Sequence, residues 1–222
     1  MQGPAPASLR LSPSQRLAKQ LPILKKAYPR AETALVHESP WQLLVATMLS
    51  AQCTDKVTNR VAAELFKEFK TPADFAKLSP EQLQPHIRSI TFFRNKSKSI
   101  VGAAQKVVRE FGGNVPDNME QLLTLPGVAR KTANVVLGTA FGVASGVVVD
   151  THVDRLSHRL DLTKEKDPKK IEQNLMKIIP KEKWILFSHQ LIWHGRLVCQ
   201  ARRPRCPDCP LEDLCYSKDK TV

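Results

Sequence analysis

No run of apolar residues in this sequence is long enough to span a bilayer, and residues 1–14 carry neither the basic start nor the apolar centre of a secretory leader. An intracellular protein is expected on that ground. Cysteine is nearly absent until the end: of five, only Cys53 precedes Cys199. A disulfide framework would scatter its cysteines through an exported chain, so the terminal group Cys199, Cys206, Cys209 and Cys215 points to metal, and Cys53 beside an apolar helix reads as a small buried hydrophobe. Acidic residues are in deficit, with 21 Asp+Glu against 34 Lys+Arg, a formal charge of +13. That balance suggests a polyanionic partner, a merely soluble basic protein being the alternative. Also missing is period-two alternation; Val147-Val148-Val149 is too short a β-branched run to count as a strand, so the chain reads as all-α. What remains is a composition of 42% hydrophobic and 25% charged residues over 222 positions, which fits one or two small globular domains with a real core.

Residues 1–14, with Pro4, Pro6 and Pro13, are expected to form a mobile tail. Helical spacing of leucines and lysines marks residues 15–28. Pro40 opens a helix apolar nearly all round, as a buried central helix would be. Thr54 or Asp55 caps the next, which Thr71-Pro72 breaks. Ser79-Pro80-Glu81-Gln82 has the order of a capping box for a helix to about residue 88. Helices are then expected from Asn95 to a Gly112-Gly113 stop, from Asp117 to Leu123, from Arg130 to Phe141, from Asp150 to Leu160, from Asp167-Pro168 to Ile179 and from Lys181 to about Val198.

The stretch with most chemistry is Leu125-Pro126-Gly127-Val128-Ala129-Arg130-Lys131. It reads as a tight turn between two helices, and such a turn offers unpaired N–H groups and a positive dipole end to a phosphate. Lys131 falls in the first turn of the second helix. An amine nucleophile must be unprotonated, and both the dipole and partial burial would favour the neutral form. Lys131, Asn134 and Gly138 share a face of little bulk that leaves room for something to approach the amine. Further on, Val149-Asp150-Thr151-His152 places a carboxylate at another helix start. Taken alone, Lys131 reads more readily as a solvated or phosphate-contacting lysine than as a nucleophile, and Asp150 more readily as a plain cap.

The cysteine spacing is Cys-x6-Cys-x2-Cys-x5-Cys. Four thiolates so placed suit tetrahedral zinc or a [4Fe–4S] cluster; only Cys206 and Cys209 form the close pair that structural zinc prefers, and the wide outer spacings favour iron–sulfur. The group reads as a structural clip for a short terminal segment, with Arg202, Arg203 and Arg205 making its loop basic.

Hairpin, lysine, aspartate and cysteine spacing together resemble the endonuclease III family, bifunctional DNA glycosylases of the helix-hairpin-helix superfamily with a Gly/Pro-rich loop and an aspartate. The resemblance covers residues 16–218. It implies two all-α domains with the DNA cleft between them: a six-helix barrel with the hairpin over residues 33–144, and a cluster domain from residues 15–32 plus 145–222. It implies a [4Fe–4S] cluster on Cys199, Cys206, Cys209 and Cys215. It further implies a monomer in the cytoplasm, on a bacterial-type nucleoid, acting on double-stranded DNA that carries damaged bases or abasic sites.

The implied reaction is removal of oxidised or fragmented pyrimidines by Lys131 with Asp150, then β-elimination at the abasic site. Because a stacked base shields its sugar, the nucleotide must be extruded. The resemblance makes Gln52 the polar filler of the vacated space and the loop at residues 91–94 the apolar wedge, with Phe92 where the best-known members have leucine. Phe93 reads equally as core. Arg94 and Lys96, in the basic segment 86–110, are expected on phosphates, as are Arg130, His152 and the backbone of Gly127 and Ala129. The related adenine-mismatch glycosylases share cluster and aspartate but lack the lysine.

Overall fold

The computed structural model describes residues 11–221, and among them every regular element is helical. The elements are α1 (Pro13–Ala27), α2 (Pro40–Ser50), α3 (Asp55–Glu68), α4 (Pro72–Ala76), α5 (Pro80–Leu83), α6 (Phe93–Phe111), α7 (Met119–Leu123), α8 (Arg130–Phe141), α9 (Thr151–Arg159), α10 (Pro168–Ile178) and α11 (Trp184–Leu197). They form two compact units. One runs from Thr33 to Ser145; the other joins the described residues up to Glu32 with those from Gly146 onward.

In the contiguous unit α2 is the axis. Leu43, Leu44, Val45 and Leu49 have no exposed surface, and α8 and α3 pack against the helix. Burying four such side chains contributes on the order of 6–12 kcal/mol before chain entropy is counted. Ser39 starts α2 by accepting the Gln42 N–H, and Gln42 Oε1 in turn accepts the Glu38 N–H at 2.8 Å. The long α6 is amphipathic; Ile100, Ala103, Ala104 and Val107 lie in the core.

In the discontinuous unit α9 packs on α11, and α1 contacts both α10 and α11. Its anchor is Arg16, 1% exposed, whose guanidinium donates to the carbonyls of Leu160 and Asp161 at 2.7 Å each and of Leu11 at 2.8 Å. It also stacks over Tyr216 and pairs with Asp161. A buried charge is tolerated because acceptors surround it. Val147 and Val148 are buried without forming a strand; the Val148 N–H donates to Ser188 Oγ at 3.0 Å.

Several helix limits differ from the sequence expectation. The greater part of the expected tail lies outside the described residues, but its end does not behave as a tail. Ser12 and Gln15 form a reciprocal capping box, and α1 begins at Pro13. Thr71-Pro72 does more than break α3, since Thr71 and Asp74 form a second box that starts α4. The helix after Ser79 tightens into a 3₁₀ turn over Gln84–Ile87, because Pro85 has no N–H to continue the α pattern. Asn118, not Asp117, caps α7. Phe92 turns in a left-handed conformation straight into α6, which starts at Phe93 rather than Asn95.

Candidate active site

Between α7 and α8 the chain turns on two buried anchors, Leu125 and Val128, with the Val128 N–H donating to the Leu125 carbonyl at 3.1 Å. Gly127 lies between them at φ +76°, and a Cβ there would sit 2.6 Å from Ser99 Cβ and 2.9 Å from Met48 Cε. No side chain could occupy that position, so the backbone alone faces outward. The cap of α8 is Ala129, which has no side-chain acceptor to offer the first-turn N–H groups. An uncapped helix start after a glycine turn is an anion site.

Lys131 stands exposed in the first turn of α8, so the partial burial expected for it is not supplied by the protein. Nor is its face open throughout. Asn134 is 4% exposed, and its Oδ1 accepts the Ser145 hydroxyl at 2.8 Å. Arg130 is half-buried.

Asp150 caps α9. Its Oδ1 accepts both the His152 N–H at 2.9 Å and the Val153 N–H at 2.8 Å, so among the described residues Oδ2 has no hydrogen-bond partner. The cap therefore uses one of the two carboxylate oxygens. α9 is held to α11 at Gly195, where a Cβ would lie 2.8 Å from His152 Nδ1 and 3.0 Å from Arg155 Nη2. Arg155 Nη2 donates to the carbonyls of Gly195 and Cys199, both at 3.0 Å. Burial, reinforced by Arg155 and Arg196, holds the His152 imidazole below its ordinary range against the opposing charge of Asp150.

Two loops of the contiguous unit carry non-glycine residues in left-handed conformation: Gln52 at φ 55° after α2, and Phe92 at φ 57° before α6. Each costs about 1–2 kcal/mol. Both are exposed, Phe92 at 59%, whereas Phe93 is packed against the core. Arg94 is exposed and lies over the Phe93 ring, 5.3 Å from its centroid. Lys96, expected on a phosphate, has acceptors within the protein. Its ammonium donates to the carbonyls of Leu49 at 2.8 Å and Ala51 at 2.6 Å. Burial lowers its proton affinity, with Cys53 opposing. Cys53 itself is half-buried against the core.

Cys199, Cys206, Cys209 and Cys215 line one cavity, together with Arg159 and Lys220 among others. Among the described residues no three His, Cys, Asp or Glu side chains converge on a point that one metal ion would occupy. Four thiols lining one cavity are a donor set that a [4Fe–4S] cluster takes. Burial pushes the Cys209 thiol up to about 11, and the neighbouring cysteines add to this. Arg159 Nη1 donates to Cys199 Sγ at 3.3 Å, and His194 Nε2 lies 3.5 Å from Cys209 Sγ. The far ring nitrogen of His194 meets the Tyr28 hydroxyl at 2.9 Å, and burial pulls that imidazole down to about 4. Sequence reasoning misses Arg159, His194 and Tyr28; the one available signal is a histidine inside the apolar helix α11. Of the three loop arginines, Arg202 and Arg203 are exposed and Arg205 pairs with Asp208 at 2.7 Å.

Residues 45–181 match the profile of the HhH-GPD superfamily base excision DNA repair proteins. The chain is 54% identical to endonuclease III of Synechocystis sp. over 93% of this chain and 94% of that protein, and 40% identical to endonuclease III of Escherichia coli over 91% and 97%. Among solved structures it resembles a non-covalent endonuclease III–DNA complex, with a TM-score of 0.88 at 43% identity over 93% of this chain and 96% of the other. A trapped covalent endonuclease III–DNA intermediate matches equally well. With the hairpin, the α9 cap and the cysteine cavity on its own residues, the chain belongs to the endonuclease III family of the HhH-GPD superfamily.

Proposed function

We infer that the protein is a base excision repair enzyme that removes oxidised or fragmented pyrimidines from duplex DNA and then cleaves the strand at the abasic site. The observation that carries this reading is an exposed lysine in the first turn of an uncapped helix directly after the Gly127 turn, in a chain so similar to endonuclease III. The backbone of Gly127 and Ala129 holds a phosphate, with Arg94, Arg130 and His152 as further contacts to the strand. Phe92 enters the stack and Gln52 fills the place of the extruded nucleotide.

On this reading the neutral Lys131 Nζ attacks C1′. The glycosidic bond breaks, its electrons leave with the base, and the base takes up a proton. Asp150, through the oxygen its cap does not use, stabilises the positive charge that develops on the sugar. Ring opening yields a Schiff base between Lys131 and C1′. Loss of a C2′ proton then expels the 3′ phosphate, and water frees the lysine. Desolvation of the exposed amine must come from the bound duplex. Cys199, Cys206, Cys209 and Cys215 would hold a [4Fe–4S] cluster, which clips the last segment of the chain and supplies no step of the reaction. The work is done on nucleoid DNA, by a monomer.

Borohydride added during reaction with a thymine glycol duplex should give a covalent protein–DNA adduct, absent with Lys131→Gln. Undiminished trapping in that variant would refute the assignment of Lys131.

A further inference from the structure

Gln52 and Phe92 belong to loops far apart in sequence, yet one residue touches both. The backbone N–H of Lys96 donates to the Phe92 carbonyl at 3.0 Å. Its ammonium reaches back to the carbonyls of Leu49 and Ala51, the last turn of α2 and the residue just before Gln52. Three features make this more than a chance surface contact. First, α2 ends without a basic residue in its last turn, so the negative end of its dipole is met by an amine from another helix. Second, the amine sits near the start of α6, where its charge is unfavourable for its own helix, and it finds compensation at the end of α2. Third, Gln52 and Phe92 both hold left-handed conformations that flanking structure must impose.

We propose that Lys96 is a positioning residue that fixes the separation of Gln52 and Phe92, so that filler and wedge enter the duplex as one rigid pair rather than as two independent loops. The proposal rests on the repair reading given above and adds to it a residue that touches neither substrate nor the reacting atoms. It also removes Lys96 from the set of phosphate contacts, because both strong acceptors of its ammonium are internal to the protein. Its charge is spent on α2, and the duplex gains order instead of attraction.

The test uses the full-length protein. Lys96→Met is compared with wild type in three measurements: single-turnover excision of thymine glycol from a duplex, strand cleavage of a single-stranded abasic oligonucleotide, and the salt dependence of binding to an abasic-site duplex. Duplex excision should fall at least tenfold. Cleavage of the single strand, which needs no insertion into a stack, should stay within about twofold, and the slope of log affinity against log salt should match wild type. If Lys96→Met does not fold, Lys96→Gln serves, since its amide can still donate to one carbonyl; an intermediate duplex rate at an unchanged slope is then expected. A slope reduced by about one would show that Lys96 meets a phosphate and would overturn the proposal. So would an unaltered duplex rate. Wild-type protein inert on both DNAs would instead overturn the repair reading beneath it.

Discussion

Adding one methyl group at Gly127 should do measurable harm, and its size can be worked out in two parts. The left-handed backbone at φ +76° costs alanine about 1–2 kcal/mol. The new Cβ would also stand 2.6 Å from Ser99 Cβ, 2.8 Å from Ser99 Oγ and 2.9 Å from Met48 Cε. Met48 can swing away, but Ser99 Cβ is fixed to the backbone of α6, so the hairpin turn must move. Forcing a methyl into packed structure costs about 1–3 kcal/mol. The total for Gly127→Ala is about 2–5 kcal/mol, or roughly 5–15 °C in melting temperature for a chain of this size. Gly142 provides the control. It lies at φ +66° at the end of α8 with no atom within 4 Å of the place a Cβ would take, so Gly142→Ala bears the backbone cost alone. The entropy that alanine removes from the unfolded chain is common to both variants and drops out of their difference. Urea unfolding followed by circular dichroism should therefore place Gly127→Ala below Gly142→Ala by about 1–3 kcal/mol. Binding to abasic-site DNA should weaken only in the former. Equal stabilities, within about 0.5 kcal/mol, would refute the claim that the turn is packed too closely for a side chain.

The two remaining perturbations separate structure from chemistry at single residues. Asp150→Asn keeps an oxygen for the His152 and Val153 N–H groups, and asparagine caps as well as aspartate, so thermal melting should hardly move while single-turnover excision falls about 10²–10³-fold; a melting loss in proportion to the activity loss would reduce Asp150 to a cap. Phe92→Ala removes a side chain that is largely in solvent and should leave stability within about 0.5 kcal/mol, yet lower excision from duplex more than binding to single strands; equal losses in gel-shift and excision assays would argue against a wedge.

Legibility in the sequence depends on whether the deciding interaction is local. Ser79-Pro80-Glu81-Gln82 announces its own capping box, because donor and acceptor lie three residues apart. The turn at Pro126-Gly127 and the cap at Asp150 are equally short-range. Thr71-Pro72 is half legible: the proline reads as a stop, whereas with Asp74 it is also a start. Lys96 is not legible at all. In sequence it belongs to a basic run whose obvious partner is phosphate, and the acceptors that engage it lie 45 and 47 residues earlier. The same holds for the side chains that reach the cysteines, Arg159 from α9 and His194 from α11, and for Tyr28, just after α1, which meets His194. Phe92 and Phe93 are indistinguishable as neighbours; only the left-handed turn at Phe92 sends one ring to solvent and the other to the core.

Arg16 donates to a carbonyl 144 residues further along the chain. Closing a loop of that length costs about 4 kcal/mol by chain statistics alone. During synthesis this has an order built into it. The unit from Thr33 to Ser145 is complete as soon as Ser145 has emerged from the ribosome, and it can collapse at once. α1 precedes that unit, and α10 and α11, on which it packs, follow it. The helix that comes first among the described residues is therefore one of the last to find its partners within its own unit.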